Sequence, residues 1–281
     1  MAVGVITDAT GDLPAELLRK YRLPCVPHLI IWGTETLVEG VDIDGPRFYQ
    51  RLANDRQHPK TAQPTTESFV EAINQAVREN DADEVVAVLV SENLSGAVPA
   101  CNMARQEVGV PVHIVDTRSI SLGLGMAAIA AAEARDQGAD VEGVIAAARR
   151  VAERTHVIFT VDTLDYLHRG GRIGRATWML GTALAIKPVL GLVDGVVEGI
   201  GRVRTRKRAL ANLLDVAAER IAPDRPVHMG VMQGAAPEDA AWVAEQARAR
   251  FDPEVLIETQ ICAAIGVHGG PGVVGLAFYQ P

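Results

Sequence analysis

Apolar runs and helical patterns alternate along the first half of the chain. The runs at residues 3–7, 85–90 and 112–116 have the length and composition of buried strands. A helix entry is predicted at Asp12, where a capping acid is followed by a proline in the first turn. Another helix is indicated ahead of the second run by apolar residues at helical spacing, namely Phe69, Val70, Ile73, Ala76 and Val77. This alternation predicts βαβ units, and so a Rossmann-like, largely parallel sheet.

In the second half the pattern changes to hairpins mixed with helices. Residues 187–200 form two strand-like stretches around Asp194 and Gly195, a pair that strongly favours a tight hairpin turn. The other predicted elements are a strand from residue 157, helices over 205–221 and 237–251, and strands over 228–232, 255–261 and 273–278. We therefore predict an α/β protein of two domains: an N-terminal domain, 1–155, with the parallel sheet, and a C-terminal domain, 156–281, with a mixed sheet and helices.

Composition sets the broad class of protein. The chain has 281 residues, of which 48% are hydrophobic, and this is enough for two domains with buried cores. Its three cysteines, Cys25, Cys101 and Cys262, lie far apart without a CxxC pair, so neither a disulfide framework nor a cysteine metal site is predicted. The N-terminal residues read directly into a strand, and the longest apolar stretch, 119–132, is too short to span a bilayer. We expect a cytoplasmic protein that is not inserted in a membrane.

The formal net charge of -8 argues against general binding of nucleic acids, which requires a surplus of Lys and Arg on one face. The charge is nevertheless uneven. Residues 168–208 contain nine Lys or Arg residues against two acids, Asp194 and Glu198. Near the end of this segment stand Arg202, Arg204 and Arg206. The segment is suited to face an anion or an acidic partner, or it is a solvated basic helix end.

Four segments with polar side chains are candidate sites, and three of them also contain glycine and follow an apolar run, which is where ligands bind in open α/β sheets. The first, 7–12, is explained at least as well as a helix cap. In the second, 60–64, the hydroxyl of Thr61 is able to donate to an anion, although an ordinary loop before a helix has the same composition. In the third, 91–96, backbone N–H groups and the hydroxyl of Ser95 converge as a carboxylate requires, unless Ser95 is a plain helix cap.

The fourth segment, 265–272, places four glycines around His268. We predict a tightly turning loop, poor in side chains, that presents an imidazole. A single histidine is usually structural, but a histidine on such a loop is not expected to lie in a core. His268 is therefore a candidate ligand contact.

Taken in order, these segments resemble the DegV family of fatty-acid-binding proteins, and the resemblance covers essentially the whole chain. The motifs that carry it are TDATGDLP, KTAQPT, SENLSGA, IVDT with a helix of small residues after it, FTVDTLDYLHRGGRIG, IKPVLGLVDG, RVRTRKRA and IGVHGGPG. The GGRIG and HxGPG elements in this order are specific, whereas each motif alone is weak.

The resemblance implies a two-domain protein that holds a long-chain fatty acid in a tunnel, with the carboxylate at the domain interface. In that family the threonine and the serine of the second and third segments bind the carboxylate, and these are Thr61 and Ser95 here. His268 and Arg172 are implied to lie near the headgroup. Supporting positions in the same loops are Asn93, Gly96 and Gly270. The chain departs from the family by having Ala9, Ala62 and Ala97 where hydroxyl residues are usual, which affects headgroup orientation and chain preference.

The sequence carries no complete catalytic motif, since GxxxxGK[ST], HExxH and GxSxG are all absent. No catalytic residue, metal or cofactor is therefore predicted beyond the fatty acid itself. The resemblance implies that a bacterial partner, a fatty acid kinase, phosphorylates the bound acid to an acyl-phosphate. Arg202, Arg204 and Arg206 then form a partner or phosphate surface. Two alternatives stay open: a phosphotransferase that uses residues 168–172 as a phosphate loop with Asp8 or Asp116 on magnesium, and a lipid-responsive regulator.

Overall fold

The computed structural model describes residues 2–181 and 186–281, and it is an α/β protein with three sheets. Its strands are β1 (Val3–Asp8), β2 (Cys25–Val26), β3 (Leu29–Trp32), β4 (Glu35–Val38), β5 (Lys60–Ala62), β6 (Glu84–Leu89), β7 (Val112–Asp116), β8 (His156–Thr160), β9 (Lys187–Val193), β10 (Val196–Val203), β11 (His228–Gly234), β12 (Val255–Gln260) and β13 (Val273–Tyr279). Its helices are α1 (Ala15–Lys20), α2 (Gly45–Asn54), α3 (Thr66–Asn80), α4 (Ala97–Ala104), α5 (Leu122–Asp136), α6 (Val141–Arg154), α7 (Asp165–Arg169), α8 (Arg206–Arg220), α9 (Pro237–Phe251) and α10 (Ala263–Gly269). None of these helices is both long and apolar enough to cross a membrane.

The first sheet has four parallel strands in the order β2-β1-β6-β7. All six residues of β1 are buried, as expected for an inner strand of a parallel sheet that is covered on both faces. Helices α3 and α6 begin at side-chain caps, because Thr65 accepts the N–H of Ser68 and Asp140 accepts that of Gly143. The predicted largely parallel sheet is confirmed.

The second sheet has six strands in the order β10-β9-β8-β13-β11-β12, and it is mixed because only β11 and β12 run parallel. The predicted hairpin is β9–β10. Its turn is made by Asp194 (φ 53°) and Gly195 (φ 76°), and positive φ at both central residues is what a two-residue hairpin turn needs. The predicted mixed sheet is thus confirmed. All six of its strands begin at or after His156, while the division into domains at residue 155 stays a prediction.

The third sheet, β4-β3-β5, was not predicted from the sequence. It packs with α2 and α10 around a small core in which Ile30, Trp32, Phe48 and Val267 are buried. It corrects one expectation directly: Thr61 lies not in a loop but on β5, where it pairs with Ile30 in an antiparallel register.

A second correction concerns His268, which lies in the last turn of helix α10 rather than on a turning loop. The glycines around it serve different purposes. A Cβ on Gly266 would lie 2.6 Å from Phe48, so this glycine permits close packing inside the helix. Positive φ occurs only after the helix, at Gly270 and Gly272.

Candidate functional site

A cavity lies between the carboxyl edge of the parallel sheet and the second half of the chain. Its empty volume is about 1070 Å³, a figure that includes open solvent at its mouth. Its wall is mostly aliphatic and aromatic, with Val90, Leu94, Ile120, Val157, Phe159, Leu167, Leu192, Val197, Met232, Ile261, Ile265 and Val273. The wall also includes five of the predicted site residues, namely Thr61, Ser95, Gly96, Arg172 and His268.

Thr61 and His268 meet in the wall of this cavity, although they are 207 positions apart in the chain. The Thr61 Oγ1 lies 2.9 Å from His268 Nε2. Burial, and after it the positive charge of Arg172, lowers the pKa of His268 to about 4. The imidazole is therefore neutral near pH 7, and only one of its nitrogens carries a proton.

The surroundings of His268 favour a proton on Nε2. Its Nδ1 is buried and has no hydrogen-bond partner among the described residues. A Cβ on Gly170 would lie 2.0 Å from this atom, so the bare Cα of Gly170 closes off Nδ1. Nδ1 stays without a partner in either tautomer, and a buried N–H is the less tolerated of the two because it would also have to fit against the Cα of Gly170. With the proton on Nε2, His268 donates to Thr61, and the hydroxyl hydrogen of Thr61 is left for a ligand.

Arg172 is fixed at the same cavity by two backbone carbonyls. Its Nε donates to Leu94 at 3.0 Å and its Nη1 donates to Gly170 at 2.8 Å. These bonds use part of the guanidinium, and the remaining donors of its planar fork stay available. The structure thus holds a positive charge beside Thr61 and His268 without pairing it to an acidic side chain in the described part of the chain.

Ser95 lies just before α4. Its Oγ accepts the backbone N–H of Ala97 at 3.3 Å in a local turn, whereas the N-cap residue of α4 is Gly96. The hydroxyl hydrogen of Ser95 is not used by this bond. Gly96 is close-packed, since a Cβ there would lie 2.0 Å from the Oε1 of Gln63. Ser95 is therefore not the N-cap of α4, and its hydroxyl hydrogen is available to a ligand.

A second polar group in the cavity wall was missed by the sequence analysis. Thr10, His28 and Ser121 line the cavity, and their side chains bond to two buried aspartates behind it. Asp8 binds the His28 Nε2 at 3.2 Å, the Thr10 hydroxyl and the Val90 N–H. Burial raises the pKa of Asp8, but its hydrogen bonds with His28, Thr10 and Val90 outweigh burial and hold this pKa below its ordinary value. The TDATGD motif contained Thr10, but nothing in the sequence pointed to His28.

Several predicted residues lie outside the cavity wall. Asn93 is exposed and its Nδ2 donates to the carbonyl of Asp194 at 3.3 Å, so it contacts the hairpin turn. Gly270 packs on Tyr166. Of the three basic residues predicted to form a surface, Arg202 and Arg204 are exposed, and Arg206 pairs with Asp239 at 2.7 Å.

The geometry does not favour the magnesium-dependent alternative. Asp8 is buried and its oxygens are occupied by protein donors. Asp116 accepts the backbone N–H of Arg118. Within residues 2–181 and 186–281, no group of three or more His, Cys, Asp or Glu side chains is placed to hold a metal ion.

Fold and cavity together define an α/β protein with a parallel and a mixed sheet that enclose an apolar cavity with polar groups in its wall. Comparison with known proteins agrees with this class. A family model described as "Uncharacterised protein, DegV family" matches residues 2–281. The chain belongs to the DegV family.

Individual relatives match over nearly their full length. A DegV domain-containing protein of Streptomyces coelicolor is 39% identical over 275 residues, which cover 98% of this chain and 97% of the relative. A second, of Deinococcus radiodurans, is 34% identical and covers 99% and 98%. Among solved structures, a DegV family protein from Thermus thermophilus, described as fatty acid binding, has a TM-score of 0.93 and 31% identity, with all of both chains covered. DegV from Bacillus subtilis, described as a fatty acid binding protein, has a TM-score of 0.91 and 26% identity, again over both whole chains.

Proposed function

We propose that this protein binds one long-chain fatty acid in the cavity and presents its carboxylate to a partner fatty acid kinase. The observation that carries the proposal is an apolar cavity whose wall contains hydroxyl, imidazole and guanidinium donors. Solved members of the family described as fatty acid binding support the choice of ligand.

The affinity comes mainly from the acyl chain. Each buried methylene contributes ~0.8 kcal/mol, so a chain of ~15 carbons offers on the order of 12 kcal/mol before the costs of immobilisation. The cavity wall that receives the chain is built from side chains such as Phe159, Leu192 and Met232. Discrimination for an acid comes from the other end, because a carboxylate removed from water needs donors.

For the headgroup we propose hydrogen bonds from the hydroxyls of Thr61 and Ser95, with Arg172 as the nearby positive charge. His268 contributes by donating to Thr61, which directs the Thr61 hydroxyl toward the ligand. Hydrogen bonds to a charged group are worth about 1.5–3 kcal/mol each, roughly twice those between neutral groups. Gly96 has no side chain and so allows the carboxylate to approach the backbone closely. Asn93 and Gly270 support the loops to which they belong.

We assign the phosphoryl transfer to a separate kinase, because the sequence carries no GxxxxGK[ST] phosphate-loop motif. Exposed arginines at 202 and 204, with Arg206 beside them, supply a positive surface for an acidic partner or an incoming phosphate. This role implies that the protein is cytoplasmic, because the partner kinase and its nucleotide are found in the cytoplasm.

The direct test is native mass spectrometry of the purified protein, followed by extraction and identification of the ligand. We expect one long-chain fatty acid per chain. A protein that arrives empty and also fails to take up added oleate or palmitate would overturn the binding proposal.

The kinase role is tested separately with Arg202→Ala. In the presence of a fatty acid kinase and ATP, we expect slower formation of acyl-phosphate at unchanged fatty-acid content, because the substitution removes positive charge only from the surface. Arg149→Ala, which removes an exposed arginine on α6 outside the basic segment, is the control. An unchanged rate with Arg202→Ala would remove the basic surface from the proposal.

A further inference from the structure

Helix α10, which carries His268, begins without a cap of its own. The side chain of its N-cap residue, Cys262, makes no capping hydrogen bond. Instead, Asp12 accepts the N–H of Cys262 at 2.8 Å, and Glu39 accepts the N–H of Ala264 at 2.9 Å. Both acceptors belong to the first half of the chain, since Asp12 follows β1 and Glu39 follows β4. Two distant carboxyl groups therefore hold the first turn of the helix.

Both carboxyl groups are themselves firmly placed. The Ser121 hydroxyl donates to the second carboxylate oxygen of Asp12, and the Asp12 carbonyl accepts the Thr259 hydroxyl at 2.7 Å. The backbone N–H of Glu39 donates to the carbonyl of His28 at 3.0 Å. The start of α10 is thus tied through side chains to the carboxyl edge of the parallel sheet.

Holding the helix in this way costs free energy of folding, because two acidic side chains are buried. A single capping side chain at the N-cap position would avoid that cost. Asp12 is 5% exposed and Glu39 is 7% exposed. Burial raises the pKa of Asp12 to about 7 and raises that of Glu39 above its ordinary value. One carboxyl oxygen of Glu39 is buried without a hydrogen-bond partner among the described residues. A Ser or Asn at the N-cap position would satisfy the helix without burying two acids.

The short helix transmits the position of its first turn to His268. His268 lies five positions after Ala263, which is a rise of about 7.5 Å along one rigid element. The bond from His268 to Thr61 is 2.9 Å long, and a displacement of less than 1 Å takes such a contact beyond hydrogen-bond range. Neither Asp12 nor Glu39 is among the described residues that line the cavity, so they reach the ligand through what they hold: the helix for both and, for Asp12, also the Ser121 hydroxyl in the cavity wall.

We propose that Asp12 and Glu39 are positioning residues for the fatty-acid headgroup, which they control by holding α10 where His268 meets Thr61. The proposal rests on the function proposed above, because it assigns these residues to the carboxylate end of the same ligand. It predicts that the two acids are required for affinity rather than for folding alone.

The test compares Glu39→Ala with Glu39→Gln, and Asp12→Ala with Asp12→Asn, by titration with oleate at a temperature where all variants are folded. The amides keep an acceptor for the helix N–H groups, and the alanines do not. We expect each alanine variant to bind about tenfold more weakly, equivalent to one lost hydrogen bond, and each amide to restore affinity to within about threefold. In ¹⁵N-histidine NMR spectra, the alanine variants should lose the hydrogen-bonded Nε2 proton of His268.

Glu84→Gln is the matched control, because Glu84 is a half-buried acid that pairs with His113 at the far side of the parallel sheet. Its affinity should equal that of the wild type. If the wild type binds no oleate, the function proposed above fails. If the wild type binds oleate and the alanine variants bind it equally well, or lose melting temperature without losing affinity, the positioning role is overturned.

Discussion

Thr61 has a single hydroxyl proton, and its direction depends on the tautomer of a neighbouring histidine. When His268 donates from Nε2, the oxygen of Thr61 accepts and its proton is free for the cavity. When the proton lies on Nδ1, Thr61 must donate to His268 and has nothing to offer an anion. The close approach of Gly170 to Nδ1 selects the first arrangement. Through its contact with His268, Gly170 thereby influences whether the Thr61 hydroxyl can donate to a ligand.

The first prediction concerns a double variant that lacks both hydroxyl donors. The double variant Thr61→Val with Ser95→Ala should bind oleate at least about 100-fold more weakly, because two hydrogen bonds to a carboxylate are lost at about 1.5 kcal/mol or more each. Fatty-acid exchange measured by fluorescence or calorimetry checks it. Thr155→Val is the control, since the Thr155 hydroxyl bonds only within the end of α6. Unchanged retention in the double variant would show that the headgroup lies elsewhere.

The second prediction concerns Gly170. Its backbone φ of -76° suits any residue, so Gly170→Ala adds no backbone strain and only introduces a methyl group 2.0 Å from His268 Nδ1. The ring must move away from Thr61, and we expect oleate affinity to fall about tenfold or more. Gly109→Ala is the matched control, because a Cβ there meets nothing within 4 Å. Equal affinities for the two variants would disprove the role of this contact.

At the scale of elements, long sequence patterns predicted the secondary structure correctly, whereas short ones did not. Strand β5 has three residues, too few for an alternation to show, and its pairing with β3 is visible only in three dimensions. Helix α10 was mistaken for a loop because glycine usually breaks helices. Here Gly266 is required by the contact with Phe48, and packing of this kind overrides propensity.

The third prediction concerns the hairpin that covers one side of the cavity. Gly195 has a φ of 76°, and a Cβ there would lie 2.4 Å from the Ser91 Oγ, which donates to the Gly195 carbonyl at 2.9 Å. Gly195→Ala should therefore lower the free energy of unfolding by more than the ~1–2 kcal/mol that a left-handed alanine costs. Gly138→Ala isolates that backbone cost, since Gly138 has a φ of 81° and open space. Urea denaturation of both variants measures the difference, and equal values would contradict it.

For the whole molecule, the order of apolar runs was enough to predict a parallel sheet followed by a mixed one. The cavity was not predictable in the same way. Its wall is assembled from short stretches spread between Thr10 and Val273, and a lone residue such as Met232 carries no local signal for its role. Only the family resemblance linked Thr61 and Ser95 to one ligand, because their sequence spacing says nothing about their distance in space.

The fourth prediction is a pH dependence of stability. The pKa of Asp12 rises from 3.8 in an unconstrained chain to about 7 in the fold, so the native state holds this proton more tightly than the unfolded state. The stability that results is fully present below about pH 4 and is lost as pH rises through about 7, up to about 4 kcal/mol in total. The stability contribution of His268 has the opposite pH dependence. Because the pKa of His268 falls from 6.5 to about 4 in the fold, its contribution is present above about pH 6.5 and is lost as the pH falls toward 4.

Comparison with Asp12→Asn separates the two groups. Subtracting its unfolding free energy from that of the wild type at each pH cancels His268. We expect this difference to fall by a few kcal/mol between pH 4 and pH 8. Chemical denaturation across this range provides the measurement, and a flat difference would mean that Asp12 is ionised in the fold at all these pH values.

Strand β13 lies between β8 and β11, although it is formed by residues 273–279. During synthesis the ribosome therefore releases β8, β9, β10, β11 and β12 before the strand that joins them into one sheet exists. Val273 and His268 are also among the last residues of the cavity wall to emerge. Until then the apolar lining of the cavity is exposed to solvent. The binding surface is thus incomplete until residues 273–279 have joined the sheet.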